Sequence, residues 1–259
     1  MPPRRKLFDP KSNEPFAISR SGLEQFMRCP RCFYQHRRLG VSPPKMVPLT
    51  LAVATDALLK NEFDAIRGSD AKHHVWKTHG LNVTAYAHRD IELWRNNFKG
   101  IRVFHQATNL EVFGAVDDVW QHDETSELHI VDYKSTSKKG DPSIDGGGFG
   151  EAYKRQMEIY QWLFGAAGHK VSPVGYFLYV NGLKEGGFYN SKNQGVMNFK
   201  TTIIEYVGDS SWVEDVIKSA KDCLTSQAMP VRGAECDNCR YFEQRQTAQS
   251  DPPPMTGPI

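Results

Sequence analysis

Two acidic segments and one lysine are the residues best suited to chemistry. Gly114-Ala115-Val116-Asp117-Asp118 is followed by Asp132-Tyr133-Lys134. Side chains alternate faces along an extended strand, so Asp132 and Lys134 project from the same side. A turn between the segments brings Asp117 or Asp118 alongside them, though neighbours facing opposite ways do not serve one ion. Two converging carboxylates repel each other unless a hard cation lies between them. An all-oxygen set suits Mg²⁺ or Mn²⁺, which keeps several waters that phosphate oxygens can replace. Such an ion polarises a phosphoryl group and lowers the pKa of a bound water. Lys134 can stabilise the charge that develops. The plainer reading is an exposed charged hairpin. Against it, Asp132 and Lys134 sit among Leu128, Ile130, Val131 and Tyr133, where unpaired charge is costly.

A second set is sulfur. Cys29 and Cys32 form one C-x-x-C pair, Cys236 and Cys239 another, and Cys223 stands alone. In a reducing compartment such pairs are more often metal or cluster ligands than disulfides. Each pair can hold one edge of a site, and together they make a Cys₄ set for Zn²⁺ or an iron–sulfur cluster, which spacing does not distinguish. Cys223 reads as a buried residue of an amphipathic helix.

These residues need elements to position them. Ser19 is a helix N-cap, with Leu23, Phe26 and Met27 as the apolar stripe behind it. A second helix is expected from about Leu49 to Arg67. Residues 109–121 read as one strand and 127–136 as the next, joined by a polar turn into an antiparallel hairpin. A Gly-rich loop over 138–150 leads to a helix from about Glu151 to Ala167, then strands at 174–182 and 200–207 and a helix at 214–226. Strand, helix and strand from Leu128 to Val180 form a parallel crossover, so an α/β fold with a central mixed sheet flanked by helices is expected. Met1 to Pro15 reads as a loose leader and the segment from about Gln246 as a Pro-rich disordered tail, leaving one domain over 16–245. Gly114 either keeps its strand open near the site or marks a bulge.

G-x-x-D followed by D-x-K on the next strand resembles the catalytic signature of PD-(D/E)XK nucleases, in the branch of the RecB nuclease domain and the CRISPR-associated adaptation nucleases. That branch adds Q-x-x-x-Y on the following helix, and Gln156 and Tyr160 stand there with the i, i+4 spacing of one helical face. The resemblance implies a restriction-endonuclease-like core and hydrolysis of DNA phosphodiesters, leaving endo- or exonucleolytic action open. The implied catalytic set is Asp117, Asp132, Lys134, Gln156 and Tyr160, and the pattern of Asp three residues after Gly favours Asp117 over Asp118. The branch also places a metal-binding His on the first core helix; here Asp56 stands at that position, with Glu62 and Asp64 as alternatives. The implied metal set is therefore Asp56, Asp117 and Asp132.

The segment from Ser21 through Phe26 to Cys29-Pro30-Arg31-Cys32-Phe33-Tyr34 is similar to the cluster motif of that branch, whose members clamp a 4Fe–4S cluster with one N-terminal and three C-terminal cysteines. This chain has two and two, with Arg245 where the last ligand would lie, and Cys32 restores the count to four. The resemblance implies DNA, single-stranded or as a duplex end, as the partner, and a role in DNA repair, recombination or defence. No Walker P-loop occurs in the sequence, so unwinding would fall to a helicase or another repair or defence protein.

Composition adds bounds. The net charge of +2 does not announce a polyanion partner. Arg28, Arg31, Arg37 and Arg38 interleave with Phe33, Tyr34 and His36, a pattern that can grip phosphates and stack on bases, although a solvated helix face is the commoner origin. No apolar run is long enough to cross a bilayer and the N-terminus lacks a secretory signal, so a cytoplasmic location with no membrane partner is the default expectation.

Overall fold

The structure, a computed structural model, describes residues 6–44, 47–146 and 149–250. In chain order the elements begin with β1 (Phe16–Ser19), α1 (Arg20–Arg28), α2 (Pro30–Arg37), α3 (Thr50–Asp64) and α4 (His74–Thr78). There follow β2 (Val83–Ala85), α5 (Ile91–Trp94), β3 (Ile101–His105), β4 (Leu110–Gly114), β5 (Asp118–His122) and β6 (Leu128–Thr136). The chain continues through α6 (Phe149–Ala166), β7 (Val174–Gly182), β8 (Phe199–Val207), α7 (Val213–Thr225) and α8 (Asp237–Ser250).

A five-stranded sheet carries the order β2-β5-β6-β7-β8, and a three-stranded one the order β1-β4-β3. The hairpin and crossover expected from the sequence are both present. β5 and β6 pair antiparallel with Asp118 opposite Val131, whereas β6 and β7 pair parallel across α6. The first five residues of β6, Leu128–Asp132, are all buried, as the near-continuous apolar run of a strand covered on both faces requires. Leu128 and Ile130 join a core with Met157, Tyr160 and Phe164 of α6. Val131 faces the opposite way, into a second core with Phe63 of α3, Trp76 and Trp120. Asp132 shares the parity of Ile130 and so points toward α6.

The segment 109–121 departs from the expected single strand. It ends in one sheet at Gly114 and restarts in the other at Asp118. The N–H of Val116 in between donates to the carbonyl of Trp94 at 3.1 Å, a tie to α5 and not to a strand ladder. A switch between sheets frees Ala115–Asp117 from pairing on both sides, and Asp117 lies in that gap.

Some described residues of the expected leader and tail segments are tied into secondary structure or the core. Phe8 is buried edge-on against Phe16, with ring centroids 5.4 Å apart, and its N–H donates to the carbonyl of Arg37. An apolar ring with a core site to fill holds down the expected loose leader from Lys6 on. At the other end α8 runs through Ser250, and residues 251–259 of the expected disordered tail lie outside the described residues. No described helix is long and apolar enough to cross a membrane.

Candidate active site and cysteine centre

β6 and α6 build the first site. Asp132 is 1% exposed. The Gln156 side-chain amide donates to Asp132 Oδ1 at 2.8 Å and lies 3.3 Å from the Tyr160 hydroxyl. Lys134 Nζ forms an ion pair with Asp132 Oδ2 and donates to Gln156 Oε1 at 3.3 Å. It also sits 4.0 Å from the ring centroid of Tyr153, a cation–π contact. Tyr153 escaped the sequence reading, although its place three residues before Gln156 puts it on the same helical face. Burial alone would lower the Lys134 pKa, but Asp132 and Asp117 outweigh it and hold the ammonium above its ordinary value.

Asp117 closes the site from the sheet switch. One of its carboxylate oxygens, Oδ2, accepts the Tyr133 N–H at 2.7 Å. Burial, reinforced by the charge of Asp132, pushes the Asp117 carboxyl up to about 7, against the opposing pull of Lys134 and Lys60. Asp132 Oδ2 is buried without an aligned hydrogen-bond donor, having only the ion-pair contact from Lys134. Asp117, whose ionisation is resisted beside a second carboxylate, and Asp132, with an oxygen lacking a donor, fit a hard divalent cation held by oxygen.

Asp118 goes elsewhere. It is fully buried and accepts from Arg67 at 2.9 Å, from Arg95 at 3.0 Å and from the Tyr133 hydroxyl at 2.8 Å. Both arginines also pair with Asp64 of α3. Asp118 therefore ties the region after α3 and the end of α5 to β5, and Asp64 shares that structural task. Glu62 pairs with His73. Asp56 is not gathered with Asp117 and Asp132: among the described residues, the four cysteines make the sole group of three or more close ligand side chains. Asp56 instead accepts from Lys60 Nζ at 2.8 Å. Lys60 lies one turn later on the same helix, a pairing that i, i+4 spacing foretells.

Gly114 has a specific task. A Cβ there would meet Tyr160 Cε1 at 2.7 Å and Leu163 Cδ1 at 3.1 Å. The bare backbone lets α6 approach closely enough for Gln156 to reach Asp132. Gly114→Ala is expected to destabilise by about 1–3 kcal/mol through overpacking and to lower activity by displacing Tyr160. A variant melting at the wild-type temperature would show that the ring has room to move.

Beside Lys134 a cleft of about 400 Å³ opens, lined among others by Lys138, Ser143, Phe149, Tyr153 and Tyr179. Phe149 is 79% exposed at its edge. Arg31 and Arg38 of the arginine cluster have protein partners. Arg31 donates to the Pro230 carbonyl and to Glu243, and Arg38 to the Leu224 and Ser226 carbonyls. Arg37 packs near Gly22 of α1, and Arg28 alone of the four is exposed. Arg31 and Arg38 attach the end of α7 and the chain beyond it to α2 and its C-terminal cap.

The cysteine centre lies there. Cys29, Cys32, Cys236 and Cys239 gather with all four Sγ atoms within 4.8 Å of one another. Burial raises the Cys29 thiol, but N–H groups of Gly233 and Cys32 donating to its Sγ prevail and bring it down to about 7. Burial and neighbouring thiols push Cys32 well above the ordinary range, and Cys239 rises, chiefly by burial, to about 11. Without a cation the four cannot ionise together, so the donor set fits a thiophilic metal. Cys223 stays outside the group, with its Sγ 3.8 Å from the Pro30 carbonyl.

Residues 17–244 match the PD-(D/E)XK nuclease superfamily. The chain belongs to that superfamily. Its mixed sheets flanked by helices are the restriction-endonuclease-like arrangement of this PD-(D/E)XK protein. A crystal structure of a candidate exonuclease from Eubacterium rectale is similar at 11% identity and a TM-score of 0.39, covering 97% of this chain and 93% of that one. No curated protein matches the PD-(D/E)XK chain.

Proposed function

We propose that this PD-(D/E)XK protein is a Mg²⁺- or Mn²⁺-dependent DNA nuclease, with Asp117, Asp132 and Lys134 as its hydrolytic residues. The observation that carries the reading is the buried junction where Asp132 meets Lys134 and Gln156 while Asp117 resists ionisation beside it. When bound, a divalent cation would supply Lewis-acid polarisation of the phosphodiester and a more acidic water. Asp132 Oδ2 and the second oxygen of Asp117 would hold it, since Asp132 Oδ1 is taken by Gln156 and Asp117 Oδ2 by the Tyr133 N–H. Asp56 would join only by leaving Lys60.

Lys134 brings fixed positive charge to the developing phosphoryl charge and orients the attacking water. Gln156 holds both Asp132 and Lys134, and the Tyr160 hydroxyl steadies Gln156. The cleft beside Lys134 supplies a strand path, with Lys138 for a phosphate and the exposed Phe149 ring for stacking on a base. Arg28 is a candidate for further phosphate contact. DNA repair, recombination or defence, beside a helicase or similar partner, is the setting the motif order supports.

The test is release of labelled nucleotides or nicking of linear single-stranded and duplex DNA with and without Mn²⁺. Cation-dependent cleavage is expected. Salt-sensitive DNA retardation with no cleavage under Mg²⁺ or Mn²⁺ would instead support a binding module on a degenerate nuclease fold, a reading favoured by the engagement of Asp56 with Lys60.

A further inference from the structure

The four thiols stand too close together for the cluster that the resemblance implies. Cys32 Sγ lies 3.5 Å from Cys236 Sγ and 3.5 Å from Cys239 Sγ, and Cys29 Sγ lies 3.7 Å from Cys239 Sγ. Four sulfurs around a single tetrahedral ion with Zn–S bonds of about 2.3 Å are about 3.8 Å apart. A 4Fe–4S cluster places a separate iron in front of each thiolate. Its cysteine sulfurs therefore surround a body of eight atoms and stand much farther apart than the edges of a one-ion tetrahedron. The observed spacing fits one ion at the centre.

The donor set narrows the choice. Four sulfurs in a tetrahedron select zinc or iron, and all four positions come from this chain, which is the closed form of a structural zinc site. The Gly233 N–H donates to Cys29 Sγ at 3.2 Å and that of Cys32 at 3.4 Å, which offsets thiolate charge. Gly233 is shaped for this approach, because a Cβ there would lie 2.0 Å from the Arg28 carbonyl oxygen.

The centre also decides what is attached. Cys239 is the one buried residue of α8. From the N-terminal helices, Arg31 adds a part-exposed ion pair to Glu243 of α8, which contributes little, and a bond to the Pro230 carbonyl ahead of α8. We propose that Cys29, Cys32, Cys236 and Cys239 bind one Zn²⁺ in a closed tetrahedral site instead of a 4Fe–4S cluster, and that this ion docks α8 onto the N-terminal helices.

The experiment uses the full chain, purified anaerobically from cells supplied with both iron and zinc. Elemental analysis should give one zinc per chain and a colourless protein, and replacement by Co²⁺ should produce the absorption of tetrahedral thiolate coordination. A zinc chelator should then open residues 226–236 to limited proteolysis and release α8 while the remainder stays folded. Brown protein with iron and sulfide, a single iron per chain, disulfides or an absence of metal would each overturn the zinc assignment. Unchanged proteolysis after complete zinc removal would overturn the docking role. None of these readouts involves cleavage of DNA, so they stand or fall apart from the nuclease reading.

Discussion

Asp132→Asn is expected to reduce Mn²⁺-dependent DNA cleavage by roughly 10³-fold or more, in a protein that still folds. The amide has nearly the shape of the carboxylate and its oxygen can still accept from Gln156 Nε2, so α6 keeps its seat on β6. What it loses is the charge that would hold the cation and that pairs with Lys134. Asp118→Asn provides the contrast. That residue is fully buried between Arg67 and Arg95, and removing its charge leaves Arg67 with Asp64 and Arg95 with Asp64 and the exposed Glu92. Breaking a buried pair in this way costs about 3 kcal/mol or more, so its melting temperature should fall while the folded fraction still cleaves. The two variants are read by melting curves beside cleavage rates normalised to folded protein. If the losses fell the other way round, Asp118 would be the working carboxylate.

The second large effect is in pH. The folded chain holds the Asp117 proton up to about 7, against 3.8 for an ordinary aspartate. Between those values the folded state binds more protons than the unfolded one, so stability without divalent cation declines as pH rises through that window. The size of the loss grows with the gap between the two pKa values, less what solvent screens at this half-buried carboxyl. On the proposed reading, a divalent cation would bind the ionised form and reverse this loss. Mn²⁺ should accordingly raise the melting temperature much more at pH 8 than at pH 5.5. Asp117→Asn should flatten both the pH slope and the Mn²⁺ response. A Mn²⁺ response undiminished in that variant would place the cation away from the paired carboxylates.

Much of the geometry of the candidate site was legible because its motifs ride on strong local periodicities. Alternation along β6 put Asp132 and Lys134 on one side, and i, i+4 spacing put Gln156 and Tyr160 on one face of α6. The packing of α6 on β6 joins these two pairs through Gln156. Less legible was anything depending on contact between distant segments. Arg31 and Arg38 have the composition of a phosphate grip, yet their donors are used on backbone carbonyls near 230 and 225. Phe8 lies in a polar stretch that reads as loose, and a core site beside Phe16 orders it. Asp56 has an oxygen chemistry suited to a hard cation, but its nearest cation is a lysine one turn away.

The sequence by itself determined which side chains share a strand side or a helix face, because backbone geometry sets those periods whatever surrounds them. It also determined that two thiol pairs from the ends of the chain seek a common centre. Tertiary structure separated Asp117 from Asp118 by breaking a continuous apolar segment into strands of two sheets at that point, and it set the distances between the sulfurs. Neither is local: a strand ends where its partners end, and a site spanning some two hundred residues takes its size from the packing between them.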